Sequence, residues 1–319
     1  MGSALSHPVR VLPTLMAGGL AWGKMMVGSP GDPHHADHLA GLDILRFGAV
    51  LGVVWFHGDA PGGWIAYSGL PTLLLITSYL SSLSSLSLNS MVSKRAVRLF
   101  IPFAAWSAIY GLLLFRSSGP GAFRPTMLLY GTTIHLWYLP FAFVASLVAA
   151  VISRAFRRHA PDIACPACLL FGLFALRAAT SAATYGEPFD QWVFAAASVL
   201  LGVAIAAATQ NRRRAAWLAT IAASVAACGL TSGAWYRFGL PYSVGVTLVC
   251  GGLAWPVKEG WISRRLAPLA MGIYLVHPLV YDGLRKLNGS GGGGRATIVI
   301  LISILAAQLF RGWHWFSNR

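Results

Sequence analysis

The stretch LAGLDILRFGAVLGVVWFH, residues 39–57, decides the fold. Leu39 to Phe56 is an apolar segment of bilayer-crossing length that carries Arg46 within it and runs on to His57. On a helix, eleven residues are close to three turns. Arg46 and His57 therefore fall on nearly the same face, roughly 16 Å apart along the axis. Ionisable groups in a span are expensive and face a polar interior by default. Two on one stripe point to a polar pathway across the bilayer. The alternative is that Arg46 snorkels to one interface while His57 caps the helix at the other.

The rest of the chain extends this pattern. Its 319 residues are 56% hydrophobic and 10% charged, with a mean hydropathy of +0.64. A soluble domain carries about 25% charge. Near-spanning apolar runs recur throughout, and they are continuous rather than alternating, which argues against a β-barrel. The sequence predicts an all-α, polytopic transmembrane bundle of about ten helices. The spans fall near 40–57, 69–88, 99–115, 135–153, 163–181, 192–209, 215–233, 239–256, 267–284 and 296–312. The second, third and fifth are the least regular, because they contain Pro, Ser or Arg. Residues 1–38 read as a juxtamembrane arm, 39–313 as the membrane domain and 314–319 as a short tail.

The net charge of +15 does not imply a nucleic-acid partner, because the cations sit in short clusters between apolar spans. Alternate loops hold Lys94, Arg95 and Arg98; Arg154, Arg157 and Arg158; Arg212, Arg213 and Arg214; Lys258, Arg264 and Arg265. Together with Arg10, Lys24, Arg46, Arg311 and Arg319 they place seventeen of the 24 cations on one side. Arg116, Arg124, Arg237, Arg285, Lys286 and Arg295 lie on the other, and Arg177 falls within a span. The positive side is the cytoplasmic one, so both termini are expected in the cytoplasm.

Several polar groups have more than one reading. His34, His35, Asp37 and His38 have the composition of a metal-ligand cluster, but Pro33 and the polar setting favour a solvated turn, and no metal is expected. Val11–Val27 reads as an interfacial or disordered arm. Cys165 and Cys168 form a CPAC motif that, without a second pair, reads as packing at a helix start around Pro166. NGSGGGGR, residues 288–295, reads as a flexible external loop.

Four stretches can carry chemistry. His57 has a side chain suited to proton transfer near neutral pH. Asp59, two residues on, either orients its ring or is solvated. SKRAVRLFIPF places Arg95 and Arg98 one turn apart, where two guanidiniums can grip phosphate oxygens; a plain positive-inside anchor is the alternative. HLWYLPF supplies His135 beside Trp137 and Tyr138, residue types also found in an interfacial aromatic belt. MGIYLVHPLVYD supplies Tyr274 and His277 in the middle of a span.

In order and spacing, these stretches resemble the acyltransferase 3 family of bacterial integral membrane acyltransferases. LDILRFGAVLGVVWFH is similar to that family's first helix, with Arg, ten residues and His. KRAVR is similar to its Arg-x-x-Arg loop, and HLWYL and IYLVH to its later signatures. The resemblance covers roughly residues 40–312. One departure is LLLITSYL in the second helix, where Thr77 and Ser78 stand in place of the common Ser and Gly. The larger residue is expected to narrow a helix contact. The resemblance implies transfer of an acyl group, most simply acetyl, from cytoplasmic acyl-CoA. The acceptor would be a sugar hydroxyl of an exopolysaccharide or other surface glycan, or of its lipid-linked oligosaccharide precursor. It implies a bacterial cytoplasmic (inner) membrane protein that holds no tight cofactor and uses acyl-CoA as co-substrate. His57 and Arg46 would be catalytic, and Arg95 and Arg98 would bind the donor. His135, Trp137, Tyr274 and His277 would bind the acceptor. The competing classes are a transporter or channel with an Arg/His relay and a non-catalytic membrane partner in polysaccharide assembly.

The charge asymmetry sets a topological test. A reporter fused at Ser290 should report the outside, and one fused at the C-terminus the inside. An external C-terminus would contradict the assignment.

Overall fold

The computed structural model describes residues 33–181, 186–254, 257–287 and 292–310. The arm 1–32, most of the glycine-rich loop and the tail 314–319 lie outside the described residues. Among the described residues there is no strand, and ten helices have 15 residues or more. They are α1 (Pro33–His57), α3 (Gly69–Leu83), α4 (Leu88–Ser118), α6 (Tyr138–His159), α7 (Ala164–Ser181), α8 (Phe189–Thr209), α9 (Arg214–Leu230), α10 (Leu240–Ala254), α11 (Ala270–Leu287) and α12 (Gly293–Phe310). Two single-turn helices, α2 (Gly63–Ala66) and α5 (Met127–Tyr130), lie in connections. The protein is an all-α, multi-pass membrane bundle. Among the described residues, four segments have both the length and the apolarity to cross a membrane: Ala40–His57, Leu88–Ser118, Ile134–His159 and Phe189–Thr209.

Two boundaries differ from the sequence expectation. The backbone of residues 33–38 is helical and continuous with the helix that ends at His57, where a turn was expected. The side chains of residues 33–39, and with them the His34/His35/Asp37/His38 cluster, lie outside the described residues. The third span is a single helix from Leu88 to Ser118, so the KRAVR motif is helical rather than a loop. At 1.5 Å per residue this helix is about 46 Å long, more than a bilayer core requires.

α3 is the centre of the bundle, packed against α1, α6, α8 and α10. It is buried all round, with Leu74, Leu75 and Ile76 fully enclosed, as expected of a helix apolar on every face. Three of its hydroxyls are tolerated because they bond to the carbonyl one turn back: Thr72 to Ser68, Thr77 to Leu73 and Ser82 to Ser78, each at 2.8 Å, while Ser78 Oγ is buried without a partner among the described residues. This is why a Ser-rich segment serves as a core span. Peripheral α4 and α7 instead turn Val97, Leu112, Leu113, Leu170, Phe171 and Phe174 outward. Without water at that surface, such exposure is ordinary for a membrane helix.

The clustered arginines also tie helix ends together. Arg157 donates to the Ser82 carbonyl at 2.6 Å and Arg154 to the Leu86 carbonyl, covering the C-terminal end of α3. Arg214 does the same at Leu253 near the end of α10, and Arg177 donates to Thr231 after α9 at 2.8 Å. Cys165 and Cys168 are buried packing residues on one face of α7.

The Ser78 departure has a local solution. Gly202 of α8 faces it, and a Cβ at Gly202 would lie 2.5 Å from the Ser78 Cβ. The missing side chain on α8 leaves room for the added one on α3, so the contact is not widened. Gly202→Val should therefore force the two helices apart and cost about 1–3 kcal/mol. The measurement is the Tm of the detergent-purified protein, and an unchanged Tm would contradict the close approach.

Candidate functional site

The site begins with two groups of polar residues, separated along α1. At one end are Asp43 and Arg46 of α1 with Arg95 and Arg98 of α4. Arg46 Nη1 donates to Asp43 Oδ1 at 3.0 Å, one helical turn back. Arg98 lies within electrostatic reach of Arg46, Arg95 and Asp43, and Arg95 within reach of Arg46. Arg95 is only 7% exposed, whereas neighbouring Lys94 is exposed. A simple positive-inside anchor would leave both in the headgroup region. Here one face of the motif is turned into the protein. Three guanidiniums, two of them in reach of Asp43, which also lies in reach of Glu259, make a site rich in charge-assisted donors, suited to the oxygens of a polyanion.

At the other end, three histidines from three elements meet. His57 is the last residue of α1, His135 lies in the 3₁₀ turn Ile134–Trp137 before α6, and His277 is in α11. The rings of His57 and His277 are 5.4 Å apart and those of His135 and His277 5.7 Å. Sequence positions 57, 135 and 277 gave no sign of this meeting. His135 and His277 are buried, while His57 is exposed at the edge of the cluster. Among the described residues, the Nε2 atoms of both His135 and His277 are enclosed without a hydrogen-bond partner. Buried polar atoms usually have one, so this cluster offers unmet hydrogen-bonding capacity.

Tyrosines hold the cluster in place. Tyr274 donates its hydroxyl to the His135 carbonyl, and its ring packs edge-on against that imidazole. Tyr110 of α4 donates to the Leu275 carbonyl at 3.0 Å and stacks edge-on against His135, 5.1 Å away. The end of α1 is fixed separately: Trp55 Nε1 donates to the Pro61 carbonyl at 2.9 Å. Gly58 then lets α12 approach so closely that a Cβ there would lie 2.6 Å from the Ala296 Cβ.

Tyr138 connects the two groups. It is 7% exposed, its ring is 5.3 Å from Tyr274, and its hydroxyl lies in reach of Thr77, Arg46 and Arg95. A polar series therefore runs from Arg98 and Asp43 through Arg46, Arg95, Tyr138 and Tyr274 to the histidines.

Of the residues singled out in the sequence, Arg46, Arg95 and Arg98 come together, as do His57, His135, Tyr274 and His277. Trp137 does not join them. It is 5% exposed and packs on Tyr138 and Phe141, ring centroids 6.3 and 5.7 Å away. The burial of Trp137 and Tyr138 also rules out an aromatic belt at this position. Asp59 is exposed, with φ of 50°, and its carboxylate accepts from Tyr281 at 3.4 Å. Among the described residues no hydrogen bond joins it to His57. Asp43 and Tyr138 were missed. Asp43 stands three residues before Arg46, a spacing that forms helical ion pairs.

A family model described as an acyltransferase domain, of the acyltransferase 3 type, matches residues 39–311. That span contains both polar groups, and the chain belongs to this family of membrane acyltransferases. No curated protein and no solved structure matches it.

The Asp43–Arg46 pair makes a measurable claim. Exposed ion pairs couple by about 0.2–1 kcal/mol. A double-mutant cycle of Asp43→Asn and Arg46→Gln, read from thermal stability in detergent, should give coupling above about 1 kcal/mol, because Arg46 is half-buried beside two further guanidiniums. Coupling near zero would place the pair in solvent.

Proposed function

We propose that this acyltransferase moves an acyl group, most simply acetyl, from acyl-CoA to a sugar hydroxyl of an exopolysaccharide or another surface glycan. The observation that carries the reading is the polar series that joins the arginine group to the histidine group across α1. CoA presents phosphates, and Arg95, Arg98 and Arg46 supply three planar donors at one end. The acceptor hydroxyl must lose a proton, and His57 lies at the other end at an exposed position. With both termini in the cytoplasm of a bacterial inner membrane, the arginines face cytoplasmic acyl-CoA. His57 then faces the acceptor, a glycan or lipid-linked oligosaccharide on the outer side.

The chemistry is direct. His57 takes the proton from the acceptor hydroxyl as its oxygen attacks the thioester carbonyl. The carbon–sulfur bond breaks and the CoA thiolate leaves with that proton. Arg46 lines the donor path, and His135 and Tyr274 position the acceptor. This chemistry calls for no resident cofactor. Membership of the acyltransferase family supports this reading over a transporter or a non-catalytic partner.

Two variants test it. His57→Gln keeps a hydrogen-bonding side chain but cannot carry the proton, and general base catalysis contributes about 10²–10⁴-fold. Mass spectrometry of surface glycans should show acylation lost while the variant remains in the membrane at normal level. Near-parental acylation would overturn the role of His57. For the donor site, one charge-assisted bond contributes about 1.5–3 kcal/mol. Arg98→Ala should weaken acetyl-CoA binding by about ten- to a hundredfold, and Arg98→Lys should restore it only in part. Unchanged binding in the Arg95→Ala/Arg98→Ala double variant would refute the donor site.

A further inference from the structure

α11 carries a proline, Pro278, directly after His277. Proline has no backbone N–H, so the carbonyl four residues earlier, that of Tyr274, loses its helical donor. The His277 ring fills the vacancy: Nδ1 lies 2.7 Å from the Tyr274 oxygen. A carbonyl can only accept, so Nδ1 carries the proton of the neutral ring. Nε2 is then a bare lone pair. It is enclosed without a partner in a side chain that is 1% exposed, and the ring of His57 lies 5.4 Å away. The His-Pro sequence thus fixes both the orientation and the tautomer of His277.

Among the described residues, His57 has no comparable restraint. It is the last residue of its helix and is exposed, and its ring touches those of Phe56 and His277. A histidine base works when a second group accepts from its N–H, which leaves the opposite nitrogen unprotonated toward the substrate.

We propose that His277 is the positioning residue for His57, accepting an N–H of His57 on its bare Nε2 when substrate is bound. The contact fixes the His57 tautomer, so the other His57 nitrogen presents its lone pair to the acceptor hydroxyl. When that nitrogen takes the hydroxyl proton, the charge on His57 is shared through the hydrogen bond to His277. The proton passes from His57 to the departing thiolate, and His277 ends the cycle as it began. Apo contacts of this kind are often long and shorten in the substrate complex. The inference rests on His57 as the base of the proposed acyl transfer, and it assigns His277 a role other than binding the acceptor.

The test measures acyl transfer from acetyl-CoA to surface glycan in membranes holding the full chain at matched level. His277→Phe keeps a ring but removes the acceptor, and should lower kcat by about a hundredfold or more with the KM for acetyl-CoA unchanged. His277→Gln keeps an acceptor oxygen and should retain activity within about tenfold of the parent. Pro278→Ala returns a donor to the Tyr274 carbonyl and removes a helix-breaking residue. It should therefore be at least as heat-stable as the parent and yet slower, a combination that a purely structural proline does not give. Parental rates in His277→Phe or Pro278→Ala overturn the inference. So does a His277→Gln chain as inactive as His277→Phe, which would make His277 a base in its own right. A parent chain that transfers nothing, or His57→Gln at parental rate, instead removes the underlying reading.

Discussion

An ionisable side chain enclosed by apolar helices is costly unless other polar groups meet it. That constraint organises the rest of this bundle. Arg46 sits in the middle of the first span because Asp43 lies one turn away at 3.0 Å. Arg95 is turned inward despite the neighbouring Arg46, and Tyr138 is the polar group that meets it there. Most hydroxyls of α3, those of Thr72, Thr77 and Ser82 among them, can be central because each bonds to the carbonyl one turn back. The polar interior is thus a set of local solutions, joined into one series by side chains that reach between helices: Tyr138 toward Arg46, Arg95 and Tyr274, and Tyr110 to the Leu275 carbonyl. Among the described residues, a partner is missing at Nε2 of His135 and of His277, the two buried members of the histidine cluster.

Much of this was legible in the sequence because membranes read hydropathy and charge directly. The ten apolar runs correspond to the ten long helices, and the arginine clusters fall at one end of them. The Arg46/His57 stripe follows from helix period alone. What was not legible depends on relations the sequence does not display. The meeting of His57, His135 and His277 joins three segments far apart in the chain, and no local pattern encodes that. The helical KRAVR turn was hidden because its charges read as a loop. Trp137 and Tyr138 read as an interfacial belt because burial depends on which helices surround the 3₁₀ turn. Asp43 and Pro278 had signals in plain view: an acid one turn before an arginine, and a proline directly after a histidine.

The two polar groups divide the proposed reaction into donor capture and acyl transfer. Arginines hold phosphates well because their donors are planar and permanently charged. Imidazoles exchange protons because they are neither. Separating them along one helix keeps strong cationic attraction away from the base. A guanidinium beside His57 would hold the imidazolium back from forming at the moment the proton is taken.

The central claim is that donor and acceptor meet the protein from opposite faces of the membrane. Inside-out vesicles from cells making this chain and their own glycan test it directly. Radiolabelled acetyl-CoA is added outside, and label is followed into glycan enclosed within. The account predicts chain-dependent label on the enclosed glycan while the vesicles remain sealed. Label that appears only after the vesicles are permeabilised, or that appears equally without the chain, would contradict it.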